Sequence, residues 1–294
     1  MELSIRQVTP HFVGEVSGID LKNPINQEAA AAIEAAMDRY AVLVFRDQHL
    51  DEDEQKAFGQ WFGPPNAPAL RKILQAKSRF KHEEFIDISN VDLAGKIVSR
   101  EDRRLTAHFA NQLWHSDSSF QYPAAKYSIL TAQIIPKGGS VTEFADLRAA
   151  YDALPEAAKA ELEGLVAEHS MLHSRLMLGD DQYTAEEKAL MPPVQWPIVR
   201  VHPGSKRKTL FLGVHAERIL GWTVPEGRMM LADLLEHATQ PQFVYRHQWR
   251  VGDLVMYDNR CTVHRGRRYD LSARRELRRY TTDDVPASEL KQLH

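Results

Sequence analysis

One cysteine, Cys261, stands among 294 residues, so an internal disulfide and a cysteine-built metal cluster are both excluded. That scarcity fits a reducing compartment. No apolar run approaches the roughly 20 residues needed to span a bilayer, and the start, "MELSIRQVTPHFVGEV", lacks the basic head and apolar core of a secretory signal. We therefore expect a cytoplasmic protein with no membrane partner. A dominant charge is also missing: 37 Lys and Arg face 40 Asp and Glu, for a formal net charge of -3. Nothing in that balance draws the whole molecule to nucleic acid, so any basic chemistry must be local. Internal repeats, low-complexity tracts and linkers are absent too, and residues 1–294 are expected to form a single domain.

What is present is ordinary core material, 43% hydrophobic residues, in short pieces. "NQEAAAAIEAAMDRY" predicts a helix capped by Asn26, and "AVLVFRD" a short buried strand. "DEDEQKAFGQWFG" predicts a second helix, ended by Gly63 and the Pro64-Pro65 pair. From "FIDISNV" and "KYSILTAQIIP" onward, apolar runs alternate with turn signals, as β-sandwiches and barrels require. Helical stretches interrupt them at "DLRAAYDALPEAAKAELEGL", where Pro155 starts a second helix, and at "PEGRMMLADLLEHAT". The polar stretch 176–197 is long for a connection, which suggests a lid. The expected class is mainly β with α.

The stretch "ANQLWHSDSSF" carries the first chemical signal, with no helix expected around it. In an extended segment the side chains of His115 and Asp117 point the same way and can converge on one point. A third ligand from a distant strand would complete two histidines and one carboxylate, the facial arrangement of non-haem iron oxygenases, and leave positions open. Alone, H-x-D among 13 histidines is weak, because a loop histidine gives the same pattern. The second half is "GDLVMYDNRCTVHRGRRYDLSARRELRRYTTDD", where an apolar strand leads to His264 and then to a cluster of arginines. That cluster reads either as a basic face or, if "ELRRYTT" is a strand, as guanidinium groups turned inward to meet an anion. Two competing classes remain open: a metal hydrolase or isomerase using the same ligands, and a nucleic-acid binder using the arginines.

The segments "AVLVFRDQ", "FANQLWHSDSSFQ", "VGDLVMYDNRC" and "HRGRRYDLSARRELRR" resemble the Fe(II)- and 2-oxoglutarate-dependent dioxygenases of the taurine dioxygenase family, above all the 2,4-dichlorophenoxyacetate branch. The likeness spans nearly the whole chain. It implies a double-stranded β-helix (jelly roll) core with flanking helices and a lid-like insertion. It also implies Fe(II) as cofactor, 2-oxoglutarate and O2 as co-substrates, a small acidic aromatic substrate and a homo-oligomer. By the resemblance the metal ligands are His115, Asp117 and His264. The arginine eleven positions after the last ligand, Arg275, and the threonine 27 after the first, Thr142, take the distal carboxylate of 2-oxoglutarate. Arg279 and Lys72 take the acid group of the substrate. Phe109, Trp114 and the 176–197 stretch are expected around the aromatic ring. His202, His215 and His247 are candidate pocket residues whose plainer reading is structural, and Arg218 stands where relatives of this branch carry histidine.

Overall fold

Val42–Phe45 is apolar at every position and buried at every position. Val42 and Val44 enter one apolar layer while Leu43 and Phe45 enter another, as alternation along a strand demands. A strand covered on both faces reads as a continuous apolar run. The structure is a computed structural model that describes residues 3–66, 77–102 and 104–285.

The largest sheet has seven strands, in the order Ser4–Gln7, Gly14–Ser17, Val42–Phe45, Leu254–Asp258, Ala125–Ile134, Glu276–Asp283 and Ile86–Ser89. Neighbours run antiparallel except Gly14–Ser17 beside Val42–Phe45. A three-stranded sheet, Val244–Gln248, Val141–Asp146 and Thr262–Gly266, packs against it. Between the two sheets lie Val44, Leu130, Val255, Tyr257 and Leu277 from the large sheet and Phe144 from the small one. The outer face of the large sheet is covered by helices Gln27–Tyr40 and Glu52–Gln60, which place Ile33, Met37 and Phe58 against Phe45, Ile129 and Met256. Helix Val224–Ala238 covers the small sheet, setting Leu231, Leu234 and Ala238 against Ala145 and Val263. The class is β-rich with helices, as expected.

The helix starts follow the sequence signals. Asn26 accepts from the Ala29 N–H, and Asp51 and Glu54 form a reciprocal capping box. Three features depart from expectation. Helix Arg104–Ala110 leads directly into the H-x-D segment, where no helix was expected. Strand Thr262–Gly266 went unassigned because its histidine, arginine and glycine break any apolar alternation. The 176–197 stretch is not a plain loop: it holds helix Ala185–Ala189 and strand Val194–Pro197.

Arg148 ties the layers together. It is fully buried, pairs with Asp146 at 3.0 Å, and donates to the Asp38 carbonyl at 2.8 Å near the end of helix Gln27–Tyr40. Breaking a buried pair leaves a lone charge in an apolar site. Arg148→Ala should therefore lower the unfolding free energy by about 3 to 5 kcal/mol, read by urea denaturation; a loss under about 1 kcal/mol would contradict this role.

Candidate active site

His115 and His264 exchange both backbone hydrogen bonds, at 3.0 and 2.8 Å. That places them directly opposite each other, and their rings lie side by side with centroids 4.1 Å apart. The close approach needs a glycine on the third side. At Gly213 (φ +139°) an added Cβ would lie 3.2 Å from the Trp114 carbonyl oxygen and 3.3 Å from the His115 Cα.

Asp117 follows two residues after His115, and the ligand atoms of His115, Asp117 and His264 all lie within 4.8 Å of one another. His115 Nε2 is 3.7 Å from Asp117 Oδ1, and His264 Nε2 is 3.9 Å from Asp117 Oδ2. His115 Nδ1 donates to the Leu113 carbonyl at 2.7 Å, so Nε2 carries the lone pair, and that buried atom has no hydrogen-bond partner. Burial holds both imidazoles neutral, against the pull of the Asp117 charge. Burial also works to protonate Asp117, yet the Arg279 guanidinium, helped by the Ser128 hydrogen bond, outweighs it and keeps the carboxyl well below the usual carboxylate range. Two neutral nitrogens and one carboxylate, with an orphaned lone pair aimed inward, are the donor set of a divalent transition metal.

Further donors aim the carboxylate. Ser128 Oγ and the Tyr257 hydroxyl donate to Asp117 Oδ2 at 2.7 and 2.9 Å, and the Asp117 N–H donates to Asn259 Oδ1 at 3.0 Å. Burial pushes the Tyr257 hydroxyl well above its ordinary pKa, and Asp117 adds to the effect, so it stays a donor. Arg279 Nη1 donates to Asp117 Oδ1, while its Nε is buried without a partner.

A cavity adjoins this group, walled in part by His115, Thr142, His264, Arg275 and Arg279. Arg275 lines it and is buried. Its Nε donates to Ser140 Oγ at 2.7 Å, its Nη1 donates to the Ile88 carbonyl at 3.2 Å, and its guanidinium stacks 5.1 Å from the Tyr269 ring centroid. Among the described residues no carboxylate pairs with it. Burial pulls its pKa down to about 10, opposed by Tyr269, so it remains a cation at neutral pH. Thr142 Oγ1 accepts from Trp249 Nε1 at 2.9 Å, which leaves its own O–H free to donate.

Other expected residues fall elsewhere. Lys72 lies outside the described residues. Trp114 is packing: it sits in the apolar layer under helix Val224–Ala238 with the Arg265 guanidinium 4.5 Å from its ring. Phe109 lines a neighbouring surface hollow with Gln112 and Tyr269. His202 pairs with Asp258 at 2.9 Å and His247 with Asp253 at 3.1 Å, so both are structural. Arg218 binds Glu168 at 2.9 and 3.1 Å and does not line the cavity. His215, in contrast, lies beside the site, its ring 6.3 Å from that of His115. The basic face dissolves: Arg265 and Arg267 share Glu143, Arg274 binds Glu276, and Arg278 is buried against Gln55 and the Asp51 carbonyl.

Facing sheets that present two histidines, a carboxylate and a buried unpaired arginine around one cavity define a metal-dependent enzyme whose ligand carries an acid. The family described as taurine catabolism dioxygenase TauD, TfdA matches residues 4–281, and the chain belongs to that family of dioxygenases. It is 55% identical over 282 residues to the alpha-ketoglutarate-dependent 2,4-dichlorophenoxyacetate dioxygenase of Burkholderia sp. (strain RASC), covering 96% of this chain and 95% of that one. It is 56% identical over 284 residues to the enzyme of the same name from Cupriavidus pinatubonensis (strain JMP 134 / LMG 1197), covering 97% and 99%. A crystal structure of AAD-2 in complex with Mn(II) and N-oxalylglycine superposes with a TM-score of 0.90 at 47% identity, covering 97% of this chain and 98% of that one.

Outer partners of a metal ligand typically matter 10–100-fold to affinity. Tyr257→Phe removes one donor to Asp117, so Mn(II) affinity measured by electron paramagnetic resonance titration should fall about 10-fold or more with the fold intact. An unchanged affinity would remove Tyr257 from the metal site.

Proposed function

We propose that this chain is an Fe(II)- and 2-oxoglutarate-dependent dioxygenase that hydroxylates the ether-adjacent carbon of an aryloxyacetate such as 2,4-dichlorophenoxyacetate. We read residues 1–294 as one cytoplasmic domain, its facing sheets as a double-stranded β-helix and the 176–197 stretch as its lid. The observation that carries the reading is Arg275, a buried cation that lines the cavity of the His–Asp–His group and, among the described residues, donates only to neutral acceptors. A hydrolase working through metal-bound water has no need of it, whereas a dicarboxylate co-substrate does.

Iron together with 2-oxoglutarate and O2 supplies the oxidising power, giving succinate and CO2 and placing one oxygen atom on the substrate carbon. The protein's part is placement and exclusion of water. His115, Asp117 and His264 would hold the metal. Arg275 and the free Thr142 hydroxyl anchor the distal carboxylate of 2-oxoglutarate. Arg279 receives the acid group of the substrate through its unpartnered Nε, and Lys72 is a second candidate for that contact. Hydroxylation next to the ether oxygen leaves a hemiacetal, which collapses to a phenol and glyoxylate.

With Fe(II), 2-oxoglutarate, O2 and 2,4-dichlorophenoxyacetate, the enzyme should release phenol and succinate in equal amounts. Arg275→Gln loses a charge-assisted contact of about 1.5–3 kcal/mol, so the KM for 2-oxoglutarate should rise roughly 10- to 100-fold. Phenol release that does not depend on 2-oxoglutarate would sink the reading.

A further inference from the structure

The Tyr269 hydroxyl is buried and has no hydrogen-bond partner among the described residues. Its side chain lines the cavity of the His–Asp–His group together with Thr142 and Arg275, and it also borders the surface hollow that holds Phe109. Two neighbours from different parts of the chain fix the ring. The Arg275 guanidinium stands 5.1 Å from its centroid, and the His108 ring, from helix Arg104–Ala110, meets it at 80° with centroids 5.2 Å apart. The place of the hydroxyl is thus set by packing and not by a bond of its own.

A buried O–H without an acceptor is unfavourable, and a ligand that supplies one relieves it. Arg275 cannot be that acceptor, because a guanidinium only donates. Burial pushes the Tyr269 pKa up to about 12, against the charge of Arg275, so the hydroxyl keeps its proton and can donate. Two further donors on the same cavity wall are also uncommitted. Arg275 gives Nε to Ser140 and Nη1 to the Ile88 carbonyl, which leaves Nη2, and Thr142 Oγ1 accepts from Trp249, which leaves its O–H. An ionised carboxylate, with about four lone-pair sites, can take all three, and one of the three is charged.

We propose that the Tyr269 O–H is a third donor to the distal carboxylate of 2-oxoglutarate, beside Arg275 and Thr142. The assignment rests on the co-substrate reading above. It also accounts for the clamped ring, because a donor held in place before its ligand arrives loses little freedom on binding.

Calorimetry on Mn(II)-loaded protein without O2 tests it with two probes, 2-oxoglutarate and 2-oxopentanoate, which offers the same 2-oxo acid head and no distal carboxylate. Wild type should bind 2-oxoglutarate the more tightly. Tyr269→Phe keeps the ring and its stacking but lacks the O–H. It should bind 2-oxoglutarate about 10-fold or more weakly, the scale of a hydrogen bond to a charged group, with affinity for Mn(II) and for 2-oxopentanoate unchanged. A Phe variant that binds 2-oxoglutarate as wild type does overturns the assignment, since the hydroxyl is then idle. One that weakens Mn(II), or both 2-oxo acids alike, overturns it too, since the ring then acts through packing. Wild type that binds the two acids equally overturns the distal-carboxylate reading itself, and the role of Tyr269 with it.

Discussion

The Asp117 carboxylate is ionised inside a buried site, and the rest of the structure answers to that one charge. Burial alone would protonate it. Ser128, Tyr257 and Arg279, from three strands of the large sheet, all donate to it, and Asn259 holds its backbone. The register of Leu254–Asp258, Ala125–Ile134 and Glu276–Asp283 is therefore also the geometry of the site. A slip of one residue in any of these strands would turn its donor to the opposite face.

The two sheets divide the work. The small sheet sets His264 opposite His115 and presents Thr142, while the large sheet supplies the donors to Asp117 together with Arg279. Phe144 joins the halves, its ring 5.1 Å from Tyr257 and 5.9 Å from His264. Packing and positioning are here the same set of contacts, because side chains in a dense interior cannot shift independently.

Much of this was legible in the residues. Helices with a cap and an apolar stripe, such as Gln27–Tyr40 and Val224–Ala238, announce themselves, as do strands buried on both faces such as Val42–Phe45. The grouping of His115, Asp117 and His264 followed from the spacing of two motifs and a resemblance, and the folded chain does bring them together. The supporting shell was not legible. Ser128, Ser140, Tyr257 and Tyr269 are unremarkable in sequence; Ser128 reaches a ligand 11 residues away, and contacts across separations above 100 residues bring Tyr257 to Asp117 and Ser140 to Arg275. Trp114 misled for a related reason: an aromatic next to a ligand is equally at home in the core, and Trp114 packs there. Arg278 and Arg279 are chemically alike, yet adjacent positions on one strand send the first toward the helices and the second to Asp117.

X-ray absorption at the iron edge of anaerobic, Fe(II)-loaded protein tests the His–Asp–His centre most directly. Wild type should show one iron per chain with two imidazoles and otherwise oxygen donors, and His115→Ala should lose one imidazole. Sulfur scattering from Cys261, or an unchanged two-imidazole signal in the variant, would place the iron elsewhere and contradict the site described above.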